Sequence, residues 1–123
     1  MKRYQKIYDR DRYCCVYCKY PLLEEFRIWN SAVEDHLYPQ AKKHGGSNSF
    51  TNLVTACQLC NSLKGDFIPQ LAKQDGVLVE KNGKFEVHDN FREEYIRLVM
   101  VEIEKRRVKR ETEFNLEKEK INT

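Results

Sequence analysis

Two C-x2-C pairs constrain this chain more than any other feature. Cys15 and Cys18 form the first and Cys57 and Cys60 the second. Two ligand pairs from two tight turns are what a tetrahedral zinc ion takes. One such pair would say little, but two in a small chain predict that the turns around residues 15–18 and 57–60 meet in space around a metal. Four thiolates leave no open position for water, so the ion would be structural. Buried thiols without metal, or redox chemistry, are the other readings, and the redox motif lacks its βαβ setting. With five cysteines, one thiol is left over. Cys14 with Cys18 is a second possible register, but Cys15 repeats the x2 spacing of the downstream pair. Cys14 is then the odd thiol, packed rather than reactive.

At 123 residues the chain has length for one domain with a modest core. No stretch is apolar for long enough to span a bilayer. The start, MKRYQKIYDRDRY, is basic but has no apolar region of the signal-peptide kind. A cytoplasmic location is expected, where paired cysteines mean metal more often than disulfides. The net charge of +3 neither demands nor excludes a nucleic acid partner. Basic residues crowd two places, Lys2 to Arg12 and the run Lys105 to Arg110.

Tyr4 to Arg12 is expected to be a short helix with Tyr4, Ile7 and Tyr8 on one side. Its basic faces either meet solvent or touch phosphate. Residues 21–27 read as loop or a brief turn. Ile28 to Leu37 has strand-like residues interrupted by Asn30 and Ser31, with the strand proper expected from Ala32 and ended by Pro39. Residues 40–51, rich in Lys, Gly, Ser and Asn, read as an exposed loop. Leu53 to Ala56 reads as a second strand and Cys57 to Lys64 as a helix closed by Gly65. Residues 68–74 are a link. In VLVEKNGKFEV, Asn82-Gly83 predicts a tight hairpin with a type I′ turn. A helix is expected from Phe91, capped by Asp89 or Asn90, with an apolar stripe of Tyr95, Leu98, Val99 and Ile103. Glu93 with Arg97 and Glu102 with Arg106 stand at pairing distance along it. Beyond Arg107 the stripe fades, so that end is expected to project into solvent or fray.

Between the cysteine pairs lie groups suited to phosphodiester hydrolysis. That reaction needs a base for water and a cation for the charge that grows on phosphate and on the leaving oxygen. A neutral imidazole with a pKa of about 6.5 can be the base near pH 7. Hard oxygen ligands can hold the cation. Asp35, His36 and Asn61 offer a carboxylate, an imidazole and an amide oxygen. On a strand, Asp35 and His36 face opposite ways and can do different work. Asn61 belongs to the helix that starts at the second cysteine pair, so a zinc clip would bring it beside the strand. An Asp-His pair alone is more often a surface feature than a site.

The motif string is more telling than any single residue. Arg10-Asp11, Cys15-Val-Tyr-Cys18, Asp35-His36-Leu-Tyr-Pro39, Gly45-Gly46, Asn52-Leu53 and Cys57-x2-Cys60-Asn61-x2-Lys64-Gly65-Asp66 together resemble the HNH endonucleases that carry a structural zinc. The knuckle resemblance also favours Cys15 over Cys14. The resemblance implies an α+β fold: a small ββα-metal, treble-clef-like core with a four-cysteine zinc site, followed here by a β-hairpin and a long C-terminal helix. Residues 1–70 would be the nuclease core and 71–123 an extension packed on it. By the same resemblance His36 would be the general base, and Asp35 and Asn61 would be ligands of a catalytic divalent cation. Asn52 would be the middle letter of the motif, bracing the loop and helping to orient the base. Asn61 stands where the family often has a histidine, and two oxygen ligands suit Mg2+ or Mn2+. Lys19 stands where the knuckle often has Gly.

Lys64, one helical turn past Asn61, is expected to reach phosphate, with a helix C-terminal charge as the plainer role. Lys42 and Lys43 are further loop candidates for phosphate. His44 reads as solvated and His88 as structural or exposed. The implied activity is cleavage of double-stranded DNA with a 5′-phosphate product. The alternatives are a zinc-stapled module that binds DNA or protein without cutting, and a structural interaction protein docked through its last helix. The run KRRVKR either lies along DNA or, with Glu102, Glu104, Glu111 and Glu113 interleaved, forms a mixed solvated face. Val108, Phe114 and Leu116 are spaced too irregularly for a convincing coiled coil, and monomer and dimer both stay open.

Overall fold

The computed structural model describes residues 2–122. Helix α1 (Arg3–Arg10) opens the chain, and the Lys2 N–H donates to Gln5 Oε1 at 2.8 Å across its first turn. Its apolar side buries Ile7 and Tyr8. The Arg10-Asp11 pair docks this helix on the sheet. Asp11 Oδ2 accepts the Thr55 N–H at 2.8 Å, while the Arg10 guanidinium pairs with Asp11 and donates to the carbonyls of Phe50 and Leu53. Arg10 therefore works inside the fold. Left-handed backbone at Arg12 and Tyr13 then turns the chain into the first knuckle.

Strands β1 (Val33–His36) and β2 (Leu53–Ala56) pair antiparallel, with Val33 opposite Ala56 and His36 opposite Leu53. The strand begins at Val33, one residue after the expected Ala32, and the strand-like residues Ile28 and Trp29 ahead of it lie instead in helix α2 (Phe26–Ser31). The reason lies in the register. β2 ends at Ala56, and Cys57 at once begins the next helix, so nothing is left for residues 28–31 to pair with. Their β propensity depends on a partner strand and is overridden without one.

Helix α3 (Gln58–Lys64) follows β2 directly, with Cys57 as its N-cap and Gly65 at φ 52° closing it. Together β1, β2 and α3 are the ββα unit. The second hairpin is β3 (Leu78–Lys81) and β4 (Lys84–Val87), joined through Asn82 and Gly83 at φ 54° and 79°, the positive pair that a type I′ turn requires. Helix α4 (Arg92–Ile121) completes the chain. Its expected side-chain cap from Asp89 or Asn90 is absent. A 3-10 turn at Asp89–Phe91 runs straight into the helix, and His88 Nδ1 caps that turn by accepting the Asn90 N–H at 3.0 Å.

One apolar core crosses the chain from end to end. Ile7, Leu37, Leu53 and Val54 share it with Val77, Val87, Tyr95, Val99 and Ile103. The 71–122 segment also touches the site elements directly. Phe85 exchanges backbone hydrogen bonds with Gly45 and Ser47, Arg92 donates to the Thr51 carbonyl at 2.6 Å, and Arg106 donates to the carbonyls of Leu63 and Lys64 at the end of α3. Past Arg107, α4 stays helical to Ile121 with its side chains exposed. Glu102 pairs with Arg106, whereas Arg97 pairs with Glu94 rather than Glu93. Most of the basic run pairs along the helix: Lys105 and Arg106 with Glu102, Arg107 with Glu104 and Glu111, and Arg110 with Glu113. This is the mixed solvated face, not a basic stripe.

Candidate active site

The four cysteines Cys15, Cys18, Cys57 and Cys60 converge, with all Sγ atoms within 4.8 Å of one another. Cys18 Sγ lies 3.8 Å from Cys57 Sγ. Tetrahedral zinc with Zn–S bonds of about 2.3 Å places its sulfurs about 3.8 Å apart. The cluster can hold a metal such as zinc. The packed thiols share hydrogen bonds unequally. The Cys15 thiol is drawn far down by bonds from Cys57 and Cys60, and Cys57 is pushed up to about 11 chiefly by the bond with Cys15. Cys14 stands outside, with its Sγ donating to the Arg12 carbonyl at 3.4 Å. Lys19 adopts φ 69°, the left-handed turn for which Gly is the usual choice.

The clip seats α3 against β1. Asp35 is 7 % exposed, while His36, the last residue of the strand, is half-buried. The Tyr17 hydroxyl donates to Asp35 Oδ2 at 2.6 Å. Lys64 Nζ lies 3.2 Å from Oδ2 and 3.5 Å from Oδ1, and it also donates to the His36 carbonyl at 3.0 Å. Burial pushes the Asp35 carboxyl up, and the Lys64 ammonium and the Tyr17 hydroxyl pull against that. Lys64 is only 1 % exposed. Its ammonium faces Asp35 and the His36 carbonyl, because α3 runs beside β1 at this level.

Asp35, His36, Gln40, Asn61, Lys64 and Asp66 line one polar cavity of about 320 Å3. Larger hollows lie along the exposed end of α4 and between α1 and residues 29–34, and none carries such a grouping. Asn52 is fully buried. Its Oδ1 accepts the Tyr38 N–H at 2.9 Å, and its Nδ2 donates to the carbonyls of Tyr38 and Ser47 at 3.0 and 2.7 Å. These bonds tie the two ends of the 38–52 loop and do not reach the His36 ring. The ring's Nε2 lies 2.7 Å from Asn48 Oδ1, which also accepts from Gln40 Nε2 at 3.1 Å. Glu86 on β4 holds the same loop from the other side through the hydroxyls of Thr51 and Ser49. Lys42 and Lys43 are exposed on the loop, and His44 packs edge-on to Tyr38.

The loop depends on close backbone packing. A Cβ at Gly46 would lie 2.0 Å from the Tyr38 carbonyl oxygen and 2.5 Å from that of Pro39, and neither can withdraw. Gly46→Ala is expected to cost about 3 kcal/mol, the upper end for overpacking. Gly45, at φ 75° with only the Phe85 ring nearby, is expected to cost about 1–2 kcal/mol as Ala. Urea denaturation of both variants checks the order.

Tyr17, Gln40, Asn48 and Asp66 escaped the sequence reading as site residues. Asp66 stood in the motif string without a role, Tyr17 lay inside the knuckle, and Gln40 and Asn48 lie in a loop with no periodicity to place them.

A hairpin, the helix that follows it and a four-cysteine cluster clipping the two define a ββα-metal domain. Residues 15–75 match the family model described as HNH endonuclease, and the chain belongs to that family. Membership points to a nuclease-type function acting on DNA. Searches among curated proteins and among solved structures each return no match. No helix among the described residues is long and apolar enough to cross a membrane.

Proposed function

We propose that the protein is a metal-dependent DNA endonuclease that hydrolyses phosphodiester bonds, with a structural zinc on Cys15, Cys18, Cys57 and Cys60. The observation that carries this reading is the single cavity shared by Asp35, His36 and Asn61 beside the cysteine cluster. The donor set there suits a hard divalent cation, Mg2+ or Mn2+, because it is made of oxygens. Asp35 Oδ1, which meets Lys64 only at 3.5 Å, retains lone pairs for such an ion, and Asn61 supplies an amide oxygen from α3. When bound, the ion would neutralise charge growing on phosphate and on the leaving 3′-oxygen.

The chain's own residues do the rest. His36 takes the proton from water. Tyr17 and Lys64 hold the Asp35 carboxylate in one orientation, and Lys64 also fixes the backbone that carries the His36 ring. Asn52 keeps the loop closed over the sheet. Lys42 and Lys43 stand where a phosphate backbone could be met, which would make affinity salt-dependent.

The test is cleavage of supercoiled plasmid by zinc-loaded protein, with Mg2+ or Mn2+ added or withheld. Nicked or linear product is expected only with added metal. His36→Ala is expected to slow it by about 10²- to 10⁴-fold, the usual range for a lost general base. Equal cutting by the variant would sink the role of His36. One observation favours a second reading, a module that binds DNA without cutting: Lys64 already places a cation on Asp35. That reading predicts DNA binding without cleavage by the folded, zinc-loaded wild type.

A further inference from the structure

We propose that Asn48, itself set by Gln40, is the positioning residue that fixes the His36 ring in one tautomer, with the proton on Nε2 and the lone pair on Nδ1. Only the kinetic consequence rests on the nuclease reading above; the tautomer stands on geometry. A neutral imidazole has one donor nitrogen and one acceptor, and the partner of one nitrogen decides the role of the other. His36 Nε2 lies 2.7 Å from Asn48 Oδ1. A carbonyl oxygen only accepts, so Nε2 must carry the hydrogen. The same oxygen accepts a second bond, from Gln40 Nε2 at 3.1 Å. Turning the Asn48 amide over by itself would set its NH2 against the NH2 of Gln40, donor against donor. With the Gln40 NH2 directed at Asn48, the Asn48 amide keeps its oxygen toward the ring.

The three residues come from different places, and the fold gathers them. His36 ends β1, Gln40 follows the Pro39 bend, and Asn48 follows the Gly45-Gly46 turn. The neighbour of Asn48, Ser47, is tied down twice, by its carbonyl to Asn52 and by its N–H to the Phe85 carbonyl at 2.9 Å. Asn52 thus acts on the base at one remove: it braces the loop, and the loop presents Asn48. With Nε2 engaged, Nδ1 is the nitrogen left to take a proton from water. A ring free to exchange tautomers would hold the wrong nitrogen toward water for part of the time.

The direct readout is the pair of ring 15N shifts of His36. They are measured in zinc-loaded full-length protein labelled on histidine, at a pH where the imidazoles are neutral. Signals are assigned by their loss in His36→Ala, which separates them from His44 and His88. The expected wild-type pattern is widely split shifts with the proton on Nε2. In Asn48→Leu the two shifts are expected to converge as tautomers exchange, while Asn48→Asp, which keeps an accepting oxygen, holds them apart. A proton on Nδ1 in the wild type, or unchanged splitting in Asn48→Leu, would overturn the proposal. In the plasmid assay Asn48→Leu is expected to lower kcat about 10- to 100-fold at unchanged KM, the usual cost of losing a histidine's orienting partner, with most of it restored in Asn48→Asp. An inactive wild type with the Nε2-protonated pattern would remove the nuclease reading and leave the tautomer assignment standing.

Discussion

Cys57→Ser is expected to leave the chain without bound zinc and largely unfolded at 25 °C. Cys57 does two jobs. Its sulfur belongs to the four-cysteine cluster, and as N-cap of α3 it also accepts the Cys60 N–H at 3.5 Å. Serine keeps some capping ability but is a poor zinc ligand, so the clip is what fails. The magnitude follows from two scales. Structural zinc contributes on the order of 10–16 kcal/mol to folding in small zinc domains. A small domain has about 5–15 kcal/mol in total. Metal content and far-UV circular dichroism measured together decide the matter. Cys14→Ser is the control, expected within about 0.5 kcal/mol of wild type because it breaks no cluster contact. A cooperatively folded, zinc-free Cys57→Ser protein with the wild-type melting temperature would show that the cysteines are packing residues only.

The parts of the fold legible in the sequence are those where local signals and tertiary need agree. The β-rich run Leu53 to Ala56, bounded by a polar loop and a cysteine knuckle, is one. The Asn82-Gly83 turn demands two positive φ values, and the chain supplies them. Gly65 closes α3 because only a residue free at positive φ ends a helix so sharply. The alternation that buries Asp35 more deeply than His36 was equally readable, and β1 ends at His36, where both residues line one cavity. What was hidden depends on how far partners extend. Ile28 and Trp29 look like strand residues until β2 is seen to stop at Ala56. Arg10, Arg106 and Arg107 look like a nucleic acid surface until the carbonyls and carboxylates that they meet are known. Asn48 carried no signal, because its meaning comes wholly from the loop that folds it back on His36.

Lys64 shows most sharply how burial changes a residue's role, and its removal is the other large effect expected here. At 1 % exposure its ammonium meets the Asp35 carboxylate at 3.2 Å and the His36 carbonyl at 3.0 Å. Lys64→Met keeps most of the side-chain volume and deletes the charge. Asp35, 7 % exposed, would then hold a carboxylate with the Tyr17 hydroxyl as its remaining donor. Breaking one side of a buried pair costs about 3–5 kcal/mol, most of it the stranded charge. The expected result is a large fall in the urea midpoint with zinc content unchanged. Adding Asp35→Asn should recover more than half of the loss, because the double variant strands no charge, and the cycle of four proteins measures the coupling. A phosphate-contacting lysine behaves differently. Its removal would leave the midpoint within about 0.5 kcal/mol of wild type, as surface substitutions do, and would weaken DNA binding with a shallower salt dependence. Comparing the midpoint with the salt slope in one variant therefore separates a lysine that builds the site from one that touches its substrate.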